Sequence, residues 1–110
     1  MQSKKERRKY ARHELGFAVK VLSERGAILA KAKTSNVSDG GLLVPLPREV
    51  GENLGQPVVI DLSVPRTTLN SYMVEQFTSH ARLIRKDEAQ ENPMIAAAFE
   101  FSKPLSLMLE

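Results

Sequence analysis

Arginine side chains are concentrated near the start of the chain, at a spacing that suits an anionic ligand. Arg8 and Arg12 stand four residues apart, with Arg7 beside them. A guanidinium presents a planar fork of donors that matches phosphate oxygens and the O6/N7 edge of guanine. Residues four apart in an extended segment are separated by roughly 13 Å. Two guanidiniums at that separation can hold different parts of one nucleotide-sized ligand.

The basic character of the chain is confined to this segment. The first twelve residues contain six of the 16 Lys and Arg residues and one of the 13 Asp and Glu residues. The rest of the chain carries ten basic and twelve acidic side chains and is therefore slightly acidic. A charge excess this local is typical of anion capture, although a solvated tail explains the charge alone equally well. We expect Tyr10 to attach this arm to the body of the protein rather than to stack on a base.

A second polar cluster contains Asn36 and Ser38, followed by Gly40 and Gly41. The Asn and Ser side chains present hydrogen-bond donors and acceptors. Paired glycines let the backbone approach a ligand and direct N–H groups outward, as in an anion-binding nest. Taken alone, such a stretch is more often a plain turn.

Composition excludes several classes of protein. With 110 residues, of which 42% are hydrophobic, the chain is the size of a single domain. No apolar run approaches the ~20 residues that span a bilayer, and the basic N-terminus lacks the apolar segment of a signal peptide. We therefore expect a cytoplasmic protein without membrane insertion.

Residue types also argue against catalysis and metal binding. The chain has no cysteine and only two histidines, which stand far apart as His13 and His80, so neither a disulfide framework nor a structural metal site is expected. No catalytic triad or carboxylate pair is visible. We expect a non-enzymatic protein without a cofactor.

Period-two alternation of apolar residues predicts an all-β fold. The six predicted strands cover residues 15–22, 27–34, 42–44, 58–64, 73–85 and 94–101. Gly26 supplies a turn position where φ can be positive, and Pro45 and Pro47 are expected to end the third strand. Strands of this length and spacing favour a six-stranded antiparallel β-barrel, split and Greek-key-like.

The flanking segments complete this organisation. Residues 1–14 form the predicted basic arm, and residues 15–110 form the barrel domain. Residues 48–56 are a predicted loop, and 65–72 a polar turn at the barrel rim. Ser102 and Pro104 predict a short C-terminal helix, because they suit its cap and its first turn.

The two motifs together resemble those of the PilZ domain family, receptors for the bacterial second messenger cyclic di-GMP. The family pattern is R-x-x-x-R, a short strand pair and then [D/N]-x-S-x-x-G. Here it reads Arg8 to Arg12 and Asn36 to Gly41, with 23 residues between Arg12 and Asn36. Apolar strands around 81–84 and 98–101 are also similar to the later PilZ strands. Asn36 stands where many members have Asp, and the C-terminal helix is short.

The resemblance implies a ligand site and a mode of action. Arg8 and Arg12 would bind guanine edges and phosphates, Asn36 and Ser38 would contact the ligand from the loop, and Gly41 would keep that loop tight. The implied set of cyclic di-GMP-binding residues is Arg7, Arg8, Arg12, Asn36, Ser38, Gly40 and Gly41. Ligand binding would order the mobile arm across the barrel mouth, and an effector protein would read the result.

Two other functions remain open at this point. A basic arm on a small barrel also suits single-stranded nucleic acid, although aromatic residues make up only 5% of the chain and offer few stacking platforms. Alternatively, the chain is a PilZ-like adaptor that binds proteins without the dinucleotide. The ligand stoichiometry, one dinucleotide or a stacked pair, the identity of the partner and the oligomeric state are open as well.

Overall fold

The computed structural model describes residues 10–55, 57–87 and 93–109 of the chain. Within these ranges the elements are β1 (Ala18–Leu22), β2 (Ile28–Lys33), β3 (Asn36–Ser38), β4 (Gly41–Pro47), α1 (Arg48–Glu52), β5 (Val58–Thr67), β6 (Tyr72–Asp87) and β7 (Met94–Phe101). The strands form one antiparallel sheet in the order β2-β1-β5-β6-β7-β4-β3, curled into a half-barrel. The all-β antiparallel prediction is confirmed, but the sheet has seven strands instead of six.

The core lies on the inner face of the curled sheet, where the alternating apolar side chains of each strand meet. Burial of this apolar surface is the main term that favours folding. The buried strand residues include Val19 and Val21 of β1, Leu42, Val44 and Leu46 of β4, Val58, Ile60, Leu62 and Val64 of β5, and Ile95, Ala97, Phe99 and Phe101 of β7. The period-two alternation predicted for these segments is therefore confirmed in β1, β5 and β7. The predicted turn at Gly26 is also confirmed, with φ at 93°.

The additional strand is β3, in a segment that the sequence predicts to be a turn. Asn36 and Ser38 pair with Leu43 and Gly41 of β4, and Val37 between them is buried. Three residues are too few for alternation to distinguish a strand from a turn. The predicted loop at 48–56 likewise contains the short helix α1. Within the described ranges, no helix is long and apolar enough to cross a membrane.

β4 continues through Pro45 to Pro47, although the sequence predicts that these prolines end it. The Leu43 carbonyl accepts a hydrogen bond from the Ser35 N–H, on the side of β3. Backbone groups two residues apart along a strand point to the same side. Both prolines therefore face the region beyond the end of β3, where the ladder needs no N–H group.

The predicted C-terminal helix does not form within residues 102–109. The Leu105 N–H donates to the Asp39 carbonyl, and the Leu107 N–H donates to the Asp39 carboxylate. Met108 has a φ of 57°, which a right-handed helix excludes. The tail instead crosses the open end of the half-barrel and inserts the fully buried Leu107 side chain into the core.

The segment just before β1 connects the two edge strands of the sheet, β2 and β3. The Phe17 N–H donates to Thr34 Oγ1, and the Thr34 N–H donates to the Phe17 carbonyl. Four residues earlier, His13 exchanges two backbone hydrogen bonds with Val37 of β3. Thr34 is buried and also donates its hydroxyl to the Leu15 carbonyl at 2.6 Å. One short piece of chain therefore holds both ends of the curled sheet.

Replacing Leu107 with Ala should lower the unfolding free energy by about 2–5 kcal/mol, because truncating a fully buried leucine leaves a cavity. The matched control is Met108→Ala, since the neighbouring side chain is 75% exposed. That change should stay within about 0.5 kcal/mol of the parent. Chemical denaturation measures both, and equal stabilities of the two variants would contradict the buried position of Leu107.

Candidate functional site

The described part of the basic arm runs antiparallel to β3. His13 and Val37 form a bridge in which each backbone N–H donates to the carbonyl of the other at 2.9 Å. The register of this bridge places Arg12 opposite Ser38, and side chains that lie opposite each other share a face. Because Val37 points into the core, Arg12 and Ser38 project from the outer face. The arm therefore places the Arg12 guanidinium next to residues 36–41, the motif loop.

Tyr10 fixes the arm two residues further along. The same register places it opposite Gly40, and a Cβ atom on Gly40 would lie 2.6 Å from Tyr10 Cδ2. The aromatic ring therefore lies directly against the glycine. This contact supports the predicted role of Tyr10 in attaching the arm, and it gives Gly40 a packing role.

A pocket of about 320 Å³ opens on the outer face beside the arm and the motif loop. Its volume lies within the ~300–1,000 Å³ typical of small-molecule sites. The lining residues are Tyr10, Arg12, Asn36, Ser38, Gly40, Gly41, Leu42, Leu43, Ile84, Arg85, Ala98, Phe99 and Glu100. All five predicted site residues that the structure describes are in this set. The other two, Arg7 and Arg8, lie outside the described residues.

Cross-strand pairing builds the floor of the pocket. Asn36 pairs with Leu43, Leu43 with Ala98, and Ala98 with Arg85. These four side chains form one row across β3, β4, β7 and β6, on one face of the sheet. The centre of the row is apolar and contains the small alanine. A side-chain amide stands at one end and a guanidinium at the other, so a planar ligand has room between two polar groups.

A second row runs beside the first and includes Gly41. This glycine pairs with Ser38 on one side and with Glu100 on the other. A Cβ atom on Gly41 would collide with the backbone carbonyl of Phe99, so the close approach of β4 and β7 requires a glycine. At the end of the row, Arg82 forms an ion pair with Glu100 at 2.9 Å.

Ser38 organises the loop that the sequence predicts to be an anion-binding nest. Its hydroxyl oxygen accepts hydrogen bonds from the Gly40 N–H at 3.2 Å and the Gly41 N–H at 3.3 Å. Neither glycine has a positive φ. The two N–H groups point to Ser38 Oγ instead of outward, so the predicted nest is not formed. The Ser38 hydroxyl therefore stabilises the turn of the loop in which it lies.

The pocket contains two polar groups that are not engaged elsewhere. Neither the Arg12 guanidinium nor the Asn36 amide forms a hydrogen bond or ion pair with any residue that the structure describes. Arg85, by contrast, is paired with Asp87 at 3.2 Å. Polar groups without protein partners at a pocket wall are available to a ligand. The pattern favours an anionic ligand with hydrogen-bonding edges.

Sequence reasoning missed the side of the pocket that β6 and β7 provide. Ile84, Arg85 and Glu100 line it, and the register of β6 against β7 shifts between Leu83 and Arg85. Such a bulge inserts one residue and turns the following side chains to a new direction. The period-two alternation of the sequence does not predict such a bulge. Among the described residues, no three His, Asp or Glu side chains come together in a way that could hold a metal ion.

The fold is similar to a solved structure described as that of Bacillus subtilis Inhibitor of motility (MotI/DgrA), with a TM-score of 0.73 and 19% sequence identity. The likeness covers 92% of this chain and 45% of that chain, so this protein spans less than half of the neighbour's length. At this identity the likeness shows a shared fold and no more. No family model matches the sequence, and no curated protein matches it significantly.

Replacing Gly41 with Ala should destabilise the protein by about 1–3 kcal/mol, because the added methyl group meets the backbone of β7 and forces the strands apart. The control is Gly55→Ala, where the new Cβ would have no neighbour within 4 Å. Thermal unfolding of both variants measures the difference. A Tm for Gly41→Ala equal to that of the control would contradict the close approach of β4 and β7.

Proposed function

We propose that the chain is a cyclic di-GMP receptor or adaptor that binds its ligand in the pocket beside β3. One observation carries the proposal: Arg12, Asn36 and Ser38, which come from two separate motifs, line a single pocket. The fold likeness described above supports the same assignment, because it agrees with the PilZ-like pattern of the two motifs.

The chemistry of the ligand matches the groups in the pocket. Cyclic di-GMP carries two phosphates and two guanine bases. The Arg12 guanidinium can donate a bidentate pair of hydrogen bonds to a phosphate or to the O6/N7 edge of a guanine. The Asn36 amide both donates and accepts, so it suits a guanine edge as well. Leu43 and Ala98 provide an apolar surface for a base, and Arg7 and Arg8 are proposed to complete the site.

Signal output is proposed to run through the arm. The His13–Val37 bridge and the Tyr10–Gly40 contact already fix the base of the arm next to the pocket. A ligand held by Arg12 and by the preceding arginines would order the arm across the pocket. The ordered arm and ligand would then form a surface that a partner protein recognises. A regulatory output of this kind is in line with the description of the structural neighbour as an inhibitor of motility.

Isothermal titration with micromolar cyclic di-GMP should detect binding to the intact chain. Arg12→Ala should weaken the affinity by about 10- to 150-fold, which corresponds to the ~1.5–3 kcal/mol of a hydrogen bond to a charged group. Arg25→Ala is the matched control, because this arginine lies between β1 and β2 and does not line the pocket. Its Kd should be unchanged.

The same titration separates the alternative functions. Absence of heat with the folded chain would overturn the receptor proposal and would favour an adaptor that works through protein contacts alone. Binding of oligonucleotides of many sequences, with an affinity that falls steeply with salt, would favour a single-stranded nucleic-acid binder. Under the proposal, cyclic di-GMP binds in the presence of excess oligonucleotide.

Hydrogen exchange should detect ordering of the arm. On addition of saturating cyclic di-GMP, amide exchange in a peptide that covers residues 1–12 should slow, because the bound arm gains hydrogen bonds. A peptide over residues 23–27, in the turn between β1 and β2, serves as the internal control and should not change. Binding without slower exchange in the first peptide would reject the arm as the output element and leave the ligand assignment in place.

A further inference from the structure

β5 and β6 extend beyond the rest of the sheet as a two-stranded ribbon. β1 covers β5 only as far as Leu62, and β7 covers β6 only from Ala81 onward. Beyond these points, residues 63–67 of β5 pair only with residues 72–76 of β6, and residues 77–79 of β6 pair only with residues 60–62 of β5. The ribbon therefore has two free edges.

The backbone of β6 presents unpaired groups along its free edge. The His80 carbonyl accepts a hydrogen bond from the Ser102 N–H and so faces away from β5. Backbone groups at alternate positions share that direction. The outward-facing residues before it are Tyr72, Val74, Gln76 and Thr78. No described residue forms a backbone hydrogen bond with them on that side. A row of free N–H and C=O groups is a template for another strand.

The free edge of β5 is protected against pairing with another strand, whereas the free edge of β6 is not. Pro65 pairs with Val74 and occupies an outward-facing position of β5, where its lack of an N–H group removes a donor from that edge. The free edge of β6 contains neither proline nor lysine. Its one charged residue, Glu75, is paired with Arg66 at 2.9 Å.

The outward-facing residues of this edge combine two exposed apolar side chains with the polar Gln76 and Thr78. Tyr72 is 66% and Val74 41% accessible, and both lie on the outer face of the ribbon. Leu69, in the turn between the two strands, is 98% accessible. Pairing with a second strand would cover the sides of the Tyr72 and Val74 side chains that face the free edge.

We propose that this edge pairs antiparallel with the same edge of a second copy of the chain, about a two-fold axis at Val74. An edge that meets itself across a two-fold axis always forms antiparallel pairs. The proposed register places Val74 opposite Val74 and Tyr72 opposite Gln76, all of which have outward-facing backbone groups. It joins the two half-barrel sheets through one continuous ladder.

The two registers centred further along β6, on Glu75 or on Gln76, are less favourable. Centring the axis on Glu75 would place two carboxylates directly opposite each other, which is destabilising. Centring it on Gln76 would pair Tyr72 with His80, whose carbonyl already accepts a hydrogen bond from Ser102. The Val74 register avoids both problems, because each Glu75 then lies opposite Met73.

Disulfide trapping tests the register, since the chain has no cysteine of its own. In the proposed dimer the two Val74 Cα atoms are about 5.5 Å apart, as in any hydrogen-bonded antiparallel pair, which a disulfide can span. Mild oxidation of Val74→Cys should therefore give a covalent dimer. The control, Thr67→Cys, lies on the protected strand of the ribbon and should stay monomeric under denaturing electrophoresis. Trapping at Gln76→Cys but not at Val74→Cys would overturn the Val74 register.

Sedimentation tests the pairing itself. The unmodified chain should form a dimer at high micromolar concentration, and Val74→Lys should be monomeric, because it places two like charges opposite each other at the axis. Val74 is exposed, so the variant should fold, which circular dichroism checks. Thr67→Lys adds the same charge to β5 and should leave the dimer intact. A parent chain that remains monomeric throughout this range would overturn the proposal.

Discussion

The backbone pairing of His13 with Val37 is the contact on which the rest of the structure depends. It converts the chain before β1 into a partner for β3, the short strand at one edge of the sheet. Together with Thr34, which binds Leu15 and Phe17, it ties both ends of the curled sheet to one segment. The same pairing sets the position of Arg12. The same backbone pairing therefore contributes both to the stability of the half-barrel and to the geometry of the candidate site.

The candidate site uses the outer face of a sheet whose inner face is the core. This division follows from period-two alternation, because a residue that points outward stands between two that point inward. Val37 is buried while Asn36 and Ser38 line the pocket, and Phe99 is buried while Ala98 forms part of the floor. The core thus positions the residues that line the pocket, which stand on the opposite face of the sheet.

The sequence predicts most of the half-barrel because its long strands alternate strongly, and β5 with Val58, Ile60 and Leu62 is the clearest case. Local sequence patterns do not predict the structure where a contact between residues distant in the sequence determines it. β3 is a strand because β4 and the arm lie on either side of it, and β4 passes through Pro45 because β3 has ended there. The β6 side of the candidate site depends on the bulge near Arg85. The alternation of apolar and polar residues along the sequence does not indicate a bulge. The meeting of Arg12, Asn36 and Ser38 at one pocket could be predicted, because both motifs are visible in the local sequence.

Asp39 lies between Ser38 and Gly40 in the motif loop, and it also holds the tail that inserts Leu107 into the core. Asp39 thus connects the loop at the pocket wall to the tail that crosses the open end of the half-barrel. A molecule that reshapes the loop must either preserve the two bonds to the tail or release it, and release would expose core surface to solvent. The shape of this loop and the burial of Leu107 are therefore thermodynamically linked, because Asp39 takes part in both.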